Sequence, residues 1–339
     1  MIWNVLVVTV LSPMAILAAP LMKRAADDTG ILKFLNVVEQ FDNALYTQML
    51  AKFTEHDFAE AGYSSTQVPK KIIQKIMKDD TAHASLLADG LGGQALQTCK
   101  FKFDSVLTDV KSAMETARVF EEVAVAAFTG ADLLLQDVNF RVAAASIVTN
   151  EARHQSVLNV LNGGSDIPQS FGVALRPEQA LSVLSPFISD CDIGIPATKP
   201  LKLKSRLQAG VPMKFDMTNL PTNKRLFCQI MVGGQPLALS EPLETCTFPV
   251  DNVDGPVYMF VTDDAHPIAS NILSQNHASI LAGPAVAFVD KQEAVLSKLV
   301  LHNGLHGHQK AARQDIKVVG VQHRLARVLP ENKGNKMKE

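Results

Sequence analysis

Four stretches between about residues 30 and 162 carry apolar side chains at three- and four-residue spacing, the period of a helix with one face turned to a core. The first runs from about residue 30 to 54. The second begins near Pro69, behind a Thr66 able to cap it, and stops at Gly90-Leu91-Gly92-Gly93. The third follows Asp104, a residue type suited to an N-cap, and ends near Gln136. The fourth runs from about Asp137 to Asn162, where Gly163-Gly164 ends it. Long amphipathic helices joined by short connections predict a four-helix bundle. A shorter helical stretch, about 177–188, is expected to pack beneath it.

Beyond Cys191 the pattern changes. Prolines at 196, 200, 212, 221, 236, 242, 249 and 256 forbid long helices. Short β-rich runs lie at 213–217, 226–232, 257–262 and 285–289, with turn signals at Gly233-Gly234 and Asp263-Asp264. The fold class is therefore α+β and multidomain. The bundle is expected at 30–192, a small β-sandwich-like domain at 193–293, and a basic, flexible tail at 294–339.

Each helical stripe is interrupted near its middle by ionisable groups. Glu39 and Asp42 follow Leu32 and Leu35 in the first, with Tyr46 and Met49 beyond them. Asp80 and His83 lie between Ile76 and Leu87 in the second. Glu121 lies between Ala117 and Ala124 in the third, and Glu151 and His154 between Ile147 and Leu158 in the fourth. A buried, unpaired carboxylate costs several kcal/mol, so such groups persist when paired or bound to a cation. Asp80-x-x-His83 and Glu151-x-x-His154 each place a carboxylate and an imidazole on one helix face. With Glu39 and Glu121 from the other two helices, this is the arrangement of two-metal carboxylate bundles. The expected ligands are Glu39, Asp80, His83, Glu121, Glu151 and His154, holding one or two iron or manganese ions. A purely structural buried network is the competing reading. Asp42 is either a further ligand or a solvating group, Tyr46 reads as a core tyrosine, and Glu122, about 100° off the stripe, is expected to be exposed.

The run Val38-Glu39-Gln40-Phe41-Asp42-Asn43-Ala44-Leu45-Tyr46, together with Asp57-Phe58-Ala59-Glu60-Ala61-Gly62-Tyr63, Asp80-Thr81-Ala82-His83 and Glu151-Ala152-Arg153-His154, resembles a known family. So does the segment that starts at Glu121-Glu122 and continues through Phe128 to Ala131. The family is the ferritin-like domain of fungal stress-response and sexual-development proteins and plant desiccation-related proteins. The resemblance covers about residues 30–192 well and the β-rich region loosely. It departs from the family at Asp80 and Asp42, where Glu is usual, and at Phe128, where Tyr is frequent. The shorter Asp80 is expected to limit its reach to a second ion.

Charge and composition narrow the function classes. The formal net charge is −2 over 339 residues. From residue 294 onward, nine Lys/Arg against three Asp/Glu give +6, leaving −8 for the rest. This favours no nucleic-acid partner, and a basic tail is read first as a solvated terminus. Residues 1–22 carry no charged side chain, end in small residues at Ala18 and Ala19, and precede the dibasic pair Lys23-Arg24. A signal peptide with a second cut after Arg24 is the expectation, and an uncleaved anchor the rival. The mature chain is then secreted, with no stable membrane insertion. Its four cysteines are expected to pair as Cys99–Cys191 and Cys228–Cys246, although three pairings are open by spacing.

Two functional readings remain open at this level. One is an enzyme with oxidase- or catalase-like chemistry. The other is a secreted stress, surface or spore-associated scaffold with a vestigial or structural metal, meeting a surface or cell-wall partner through the β-rich region. A storage cage is disfavoured by the appended β-domain and the secretory route. His302, His306, His308 and His323 read as exposed bystanders.

Overall fold

A computed structural model describes residues 28–302, apart from 206, 208, 209, 219, 249–252 and 292–294. The leader, the Lys23-Arg24 pair and the tail histidines His306, His308 and His323 lie outside the described residues.

The bundle consists of α1 (Asp28–Lys52), α3 (Gln67–Leu91), α4 (Val110–Leu134) and α5 (Val138–Leu161), with the short α2 (Glu55–Glu60) between the first two. Helices α1 and α3 pack as one pair and α4 and α5 as another, with α1 and α4 joining the pairs. Side-chain chemistry sets the ends. Thr54 and Asp57 form a reciprocal capping box on α2. Asp109 accepts from Ser112 N at 2.8 Å to cap α4, and Asp137 accepts from Asn139 N at 2.7 Å to cap α5. The third helix thus starts at Val110 under Asp109, not after Asp104. Thr66 precedes α3 but makes no side-chain cap bond. Gly92, at φ 50°, takes the left-handed conformation that ends α3. Asp28 accepts from the backbone N–H groups of Gln136 and Asp137, both at 2.8 Å, and so ties the start of α1 to the α4–α5 turn.

The α3–α4 connection is not a free loop. Its strand β1 (Lys100–Phe101) pairs antiparallel with β2 (Ile188–Ser189), beyond α6 (Pro177–Leu184). A disulfide joins Cys99 to Cys191 beside this ladder. Phe41, Phe103, Phe120 and Phe187 cluster beneath it, mostly edge to face or tilted with Phe103 stacked on Phe187, and Phe41 lies 4.9 Å from Phe103 and 4.8 Å from Phe120. Gly130 of α4 lets the segment after α5 cross closely: a Cβ there would stand 1.9 Å from the Leu175 carbonyl oxygen.

The C-terminal region is one antiparallel sheet in the order β4-β3-β5-β6, formed by β3 (Phe227–Val232), β4 (Leu239–Pro242), β5 (Gly255–Thr262) and β6 (Ile280–Val289). The runs expected at 226–232, 257–262 and 285–289 become β3, β5 and β6. The run at 213–217 makes only an isolated bridge, Leu203 with Phe215, and is not a strand; it is flanked by Pro212 and Pro221, which have no N–H to donate to a ladder. The sheet has two covered faces. Tyr258, Phe260, Val286 and Phe288 join the bundle's core. Ile230, Val257 and Met259 pack on Leu203, Phe215 and Phe248, where the Cys228–Cys246 disulfide is buried. Strand β5 is buried throughout, which is why its sequence is continuously apolar instead of alternating.

After β6 the chain returns to the far end of the bundle through α7 (Ser297–Val300). Leu301 bridges Tyr63, Ser64 N donates to Val300 O at 2.8 Å, and His302 N to Gly62 O at 2.8 Å. Within the segment expected to be flexible, residues 295–302 are therefore anchored, by this backbone pairing and by Val300 and Leu301 packed against the bundle's core.

Candidate metal centre

Glu39 from α1, Asp80 and His83 from α3, Glu121 from α4, and Glu151 and His154 from α5 converge between the helices. Five of them are buried, at 6% exposure or less, and the His83 side chain is 14% exposed. Their donor atoms form two overlapping groups. Glu39, Asp80, His83 and Glu151 each offer one atom in the first; Asp80, Glu121, Glu151 and His154 do so in the second. Within each group the atoms lie within 4.8 Å of one another. Asp80 and Glu151 belong to both, so the shorter Asp80 side chain still reaches both groups.

The imidazoles face inward through Nδ1. His83 Nδ1 is 3.3 Å from Glu39 Oε2 and 2.9 Å from Glu151 Oε1. His154 Nδ1 is 3.5–3.6 Å from Asp80 Oδ1, Glu121 Oε2 and Glu151 Oε2. The two rings lie 6.4 Å apart and nearly parallel.

The electrostatics are those of crowded anions. Burial, then the neighbouring Glu151 and Glu121 charges, pushes the Glu39 carboxyl well above its usual range. Asp42 and Asp80 are raised in the same way. Burial and Glu151 lift Glu121 to about 7. Burial also works against Glu151, but the His154 and His83 imidazoles facing it outweigh that and hold the group at about 2. Burial disfavours the charged form of His154, yet Glu121 and Glu151 raise it to about 11. Without a cation the cluster keeps its anions apart only by retaining protons.

Oxygen and imidazole donors suit iron or manganese. The fit extends to the orphaned atoms: Glu39 Oε1, both Asp80 oxygens, Glu121 Oε2 and His154 Nδ1 are buried without a hydrogen-bond partner. A cation at the two groups would satisfy them together.

Four neighbours complete the surroundings, not all as expected. Asp42 is buried, with Oδ1 unpartnered, but belongs to neither ligand group. Tyr46 is a core tyrosine as expected, and its hydroxyl also donates to Glu121 Oε1 at 2.5 Å. Glu122 is not exposed: it is 5% accessible and its carboxylate accepts from Tyr258. The sheet covers that side of α4, which helical periodicity cannot reveal. Asp79, unnoticed in the sequence because it sits off the apolar stripe, lies against His154.

A helix-paired bundle with Glu/Asp-x-x-His on two helices and lone carboxylates on the other two defines a ferritin-like domain. Residues 27–164 match the family model described as the ferritin-like domain, and this part of the chain is one. The chain is similar to Protein rds1 of Schizosaccharomyces pombe, at 28% identity over 158 residues, 45% of this chain and 37% of that protein. The match thus spans little more than a third of that relative's length. Among the described residues no helix is long and apolar enough to cross a membrane.

Proposed function

We propose that this is a secreted protein whose ferritin-like domain binds one or two iron or manganese ions and uses them in oxidase- or catalase-like chemistry on dioxygen or peroxide. The ligands are Glu39, Asp80, His83, Glu121, Glu151 and His154. The observation that carries this reading is the pair of overlapping donor groups sharing Asp80 and Glu151, in which Glu39 Oε1, both Asp80 oxygens and Glu121 Oε2 are buried without a hydrogen-bond partner.

Bound iron or manganese supplies redox chemistry and open coordination positions for a small oxygen species. The protein's part is positioning and exclusion. Tyr46 occupies Glu121 Oε1 and leaves Oε2 directed toward the second group. Leu35, Ala117, Ala124, Ile147 and Leu158, one helical turn from the ligands, are buried and keep bulk water from the cluster. Secretion is supported by the two disulfides, which persist in oxidising compartments. N-terminal sequencing of protein recovered from the medium should begin after residue 19 or after Arg24; an intact Met1 on membranes would replace secretion with anchoring.

The same burial favours a second reading, a secreted scaffold in which the ion only stiffens the bundle. Metal analysis of protein purified without an affinity tag, with dioxygen- and peroxide-consumption assays, separates the two. Bound metal with turnover supports the enzyme, and bound metal without turnover the scaffold. Absence of metal, together with no stabilisation by iron, manganese or zinc, would end the metal reading.

A further inference from the structure

We propose that Asp79 is a positioning residue for His154 and makes the metal position served by His154 the tighter of the two. The inference rests on the metal-binding reading above.

His154 turns Nδ1 to Asp80, Glu121 and Glu151, so an ion held there leaves the ring hydrogen on Nε2. That hydrogen needs an acceptor. Asp79 Oδ2, 3.4 Å from Nε2, is that acceptor; the atom of Asn150 beside the same nitrogen, at 2.6 Å, is Nδ2, a donor that cannot take the hydrogen. Both neighbouring side chains are themselves restrained. Lys75, one turn earlier on α3, donates to both Asp79 oxygens, and Arg153 donates to Asn150 Oδ1 at 2.6 Å. Helix geometry explains the placement. Asp79 directly precedes Asp80 and is rotated about 100° from it, so it faces α5 while Asp80 faces the interior.

The other histidine is held differently. His83 Nδ1 meets Glu39 and Glu151, but among the described residues no side chain tethers its Nε2, and the side chain is 14% exposed against 7% for His154. A carboxylate on the outer nitrogen fixes ring orientation and raises ligand basicity, typically changing metal affinity by about 10–100-fold. Only one of the two positions has that support. The position of Asp80, Glu121, Glu151 and His154 therefore fills first, and that of Glu39 and His83 is the exchangeable one.

The test is a Mn(II) titration of the metal-free full chain, with free Mn(II) followed by electron paramagnetic resonance to give stepwise affinities. Asp79→Ala should weaken the tighter step by about 10–100-fold and leave the weaker step within about threefold. Asp79→Asn, keeping an acceptor oxygen but no charge, should fall between wild type and Asp79→Ala, and serves if the alanine variant folds poorly. His83→Ala should remove the weaker step and spare the tighter one. If wild type takes a single ion, Asp79→Ala must weaken it and His83→Ala must not. Equal weakening of both steps, loss at the weaker step alone, or no change in Asp79→Ala would overturn the inference while leaving the metal reading intact. Wild-type protein that binds no Mn(II), iron or zinc would overturn both.

Discussion

The Tyr258 hydroxyl, on the central strand of the sheet, donates a 2.6 Å hydrogen bond to Glu122 Oε1 on α4. The bond joins the two halves of the protein one residue from the Glu121 ligand position. Both side chains are buried, so neither finds water if the other is removed. Tyr258→Phe leaves the Glu122 carboxyl without that donor and should destabilise the protein by about 1–3 kcal/mol. Thermal melts of metal-free protein measure this. A melting temperature equal to wild type would show that the contact carries no stability.

Glu39 belongs to one donor group and Glu151 to both, which separates their variants. Glu151→Ala should abolish most metal binding, because it removes the anion that both groups share and that faces both imidazoles. Glu39→Ala should cost only the ion served by His83. Elemental analysis after equilibration with iron or manganese gives the ratio; identical losses would mean that the groups do not act as separate positions.

The disulfides close loops of different size, with sequence separations of 92 residues for Cys99–Cys191 and 18 for Cys228–Cys246. By chain entropy the larger loop should stabilise more, by about 1.5 kcal/mol. Paired Cys→Ala variants at each bridge, unfolded in denaturant, test the order. Non-reducing peptide mapping should recover the two pairs and no cross-pairs.

Arg118 is fully buried and clasps Asp290 from across the bundle–sheet boundary, at 2.6 and 2.9 Å, while Asn159 accepts from its Nε at 2.7 Å and the guanidinium lies 3.9 Å over Phe288. Removing one partner strands a buried charge. Arg118→Ala and Asp290→Ala should each cost about 3–5 kcal/mol. The double variant should cost much less than the sum of the two, and a double-mutant cycle reads the coupling. Additive losses would place the stability elsewhere in the contact.

Much of this was legible in the chain itself. The stripes around Leu35, Ile76, Ala117 and Ile147 marked the four core-facing helix sides, and glycines 92 and 163 marked two of the stops. Glu39, Asp80, His83, Glu121, Glu151 and His154 stood out because ionisable groups in the middle of an apolar stripe need a shared reason to be buried. The cysteine pairs were expected but not fixed by spacing, which left three pairings open; the fold brings Cys99 to Cys191 and Cys228 to Cys246.

Tertiary structure decided what covers each helix from outside. Helix α4 is buried nearly all round, by the bundle on one side and the sheet and returning loop on the other. Glu122 and Arg118, off the apolar stripe, are therefore interior residues rather than solvated ones. Asp79 gained its contact with His154 because α3 and α5 lie side by side across the site, a relation between segments 75 residues apart. Periodicity records which face of a helix is apolar, since burial of that face drives folding. It carries no information about polar faces that find specific partners. Those depend on distances between elements, and only the assembled fold sets them.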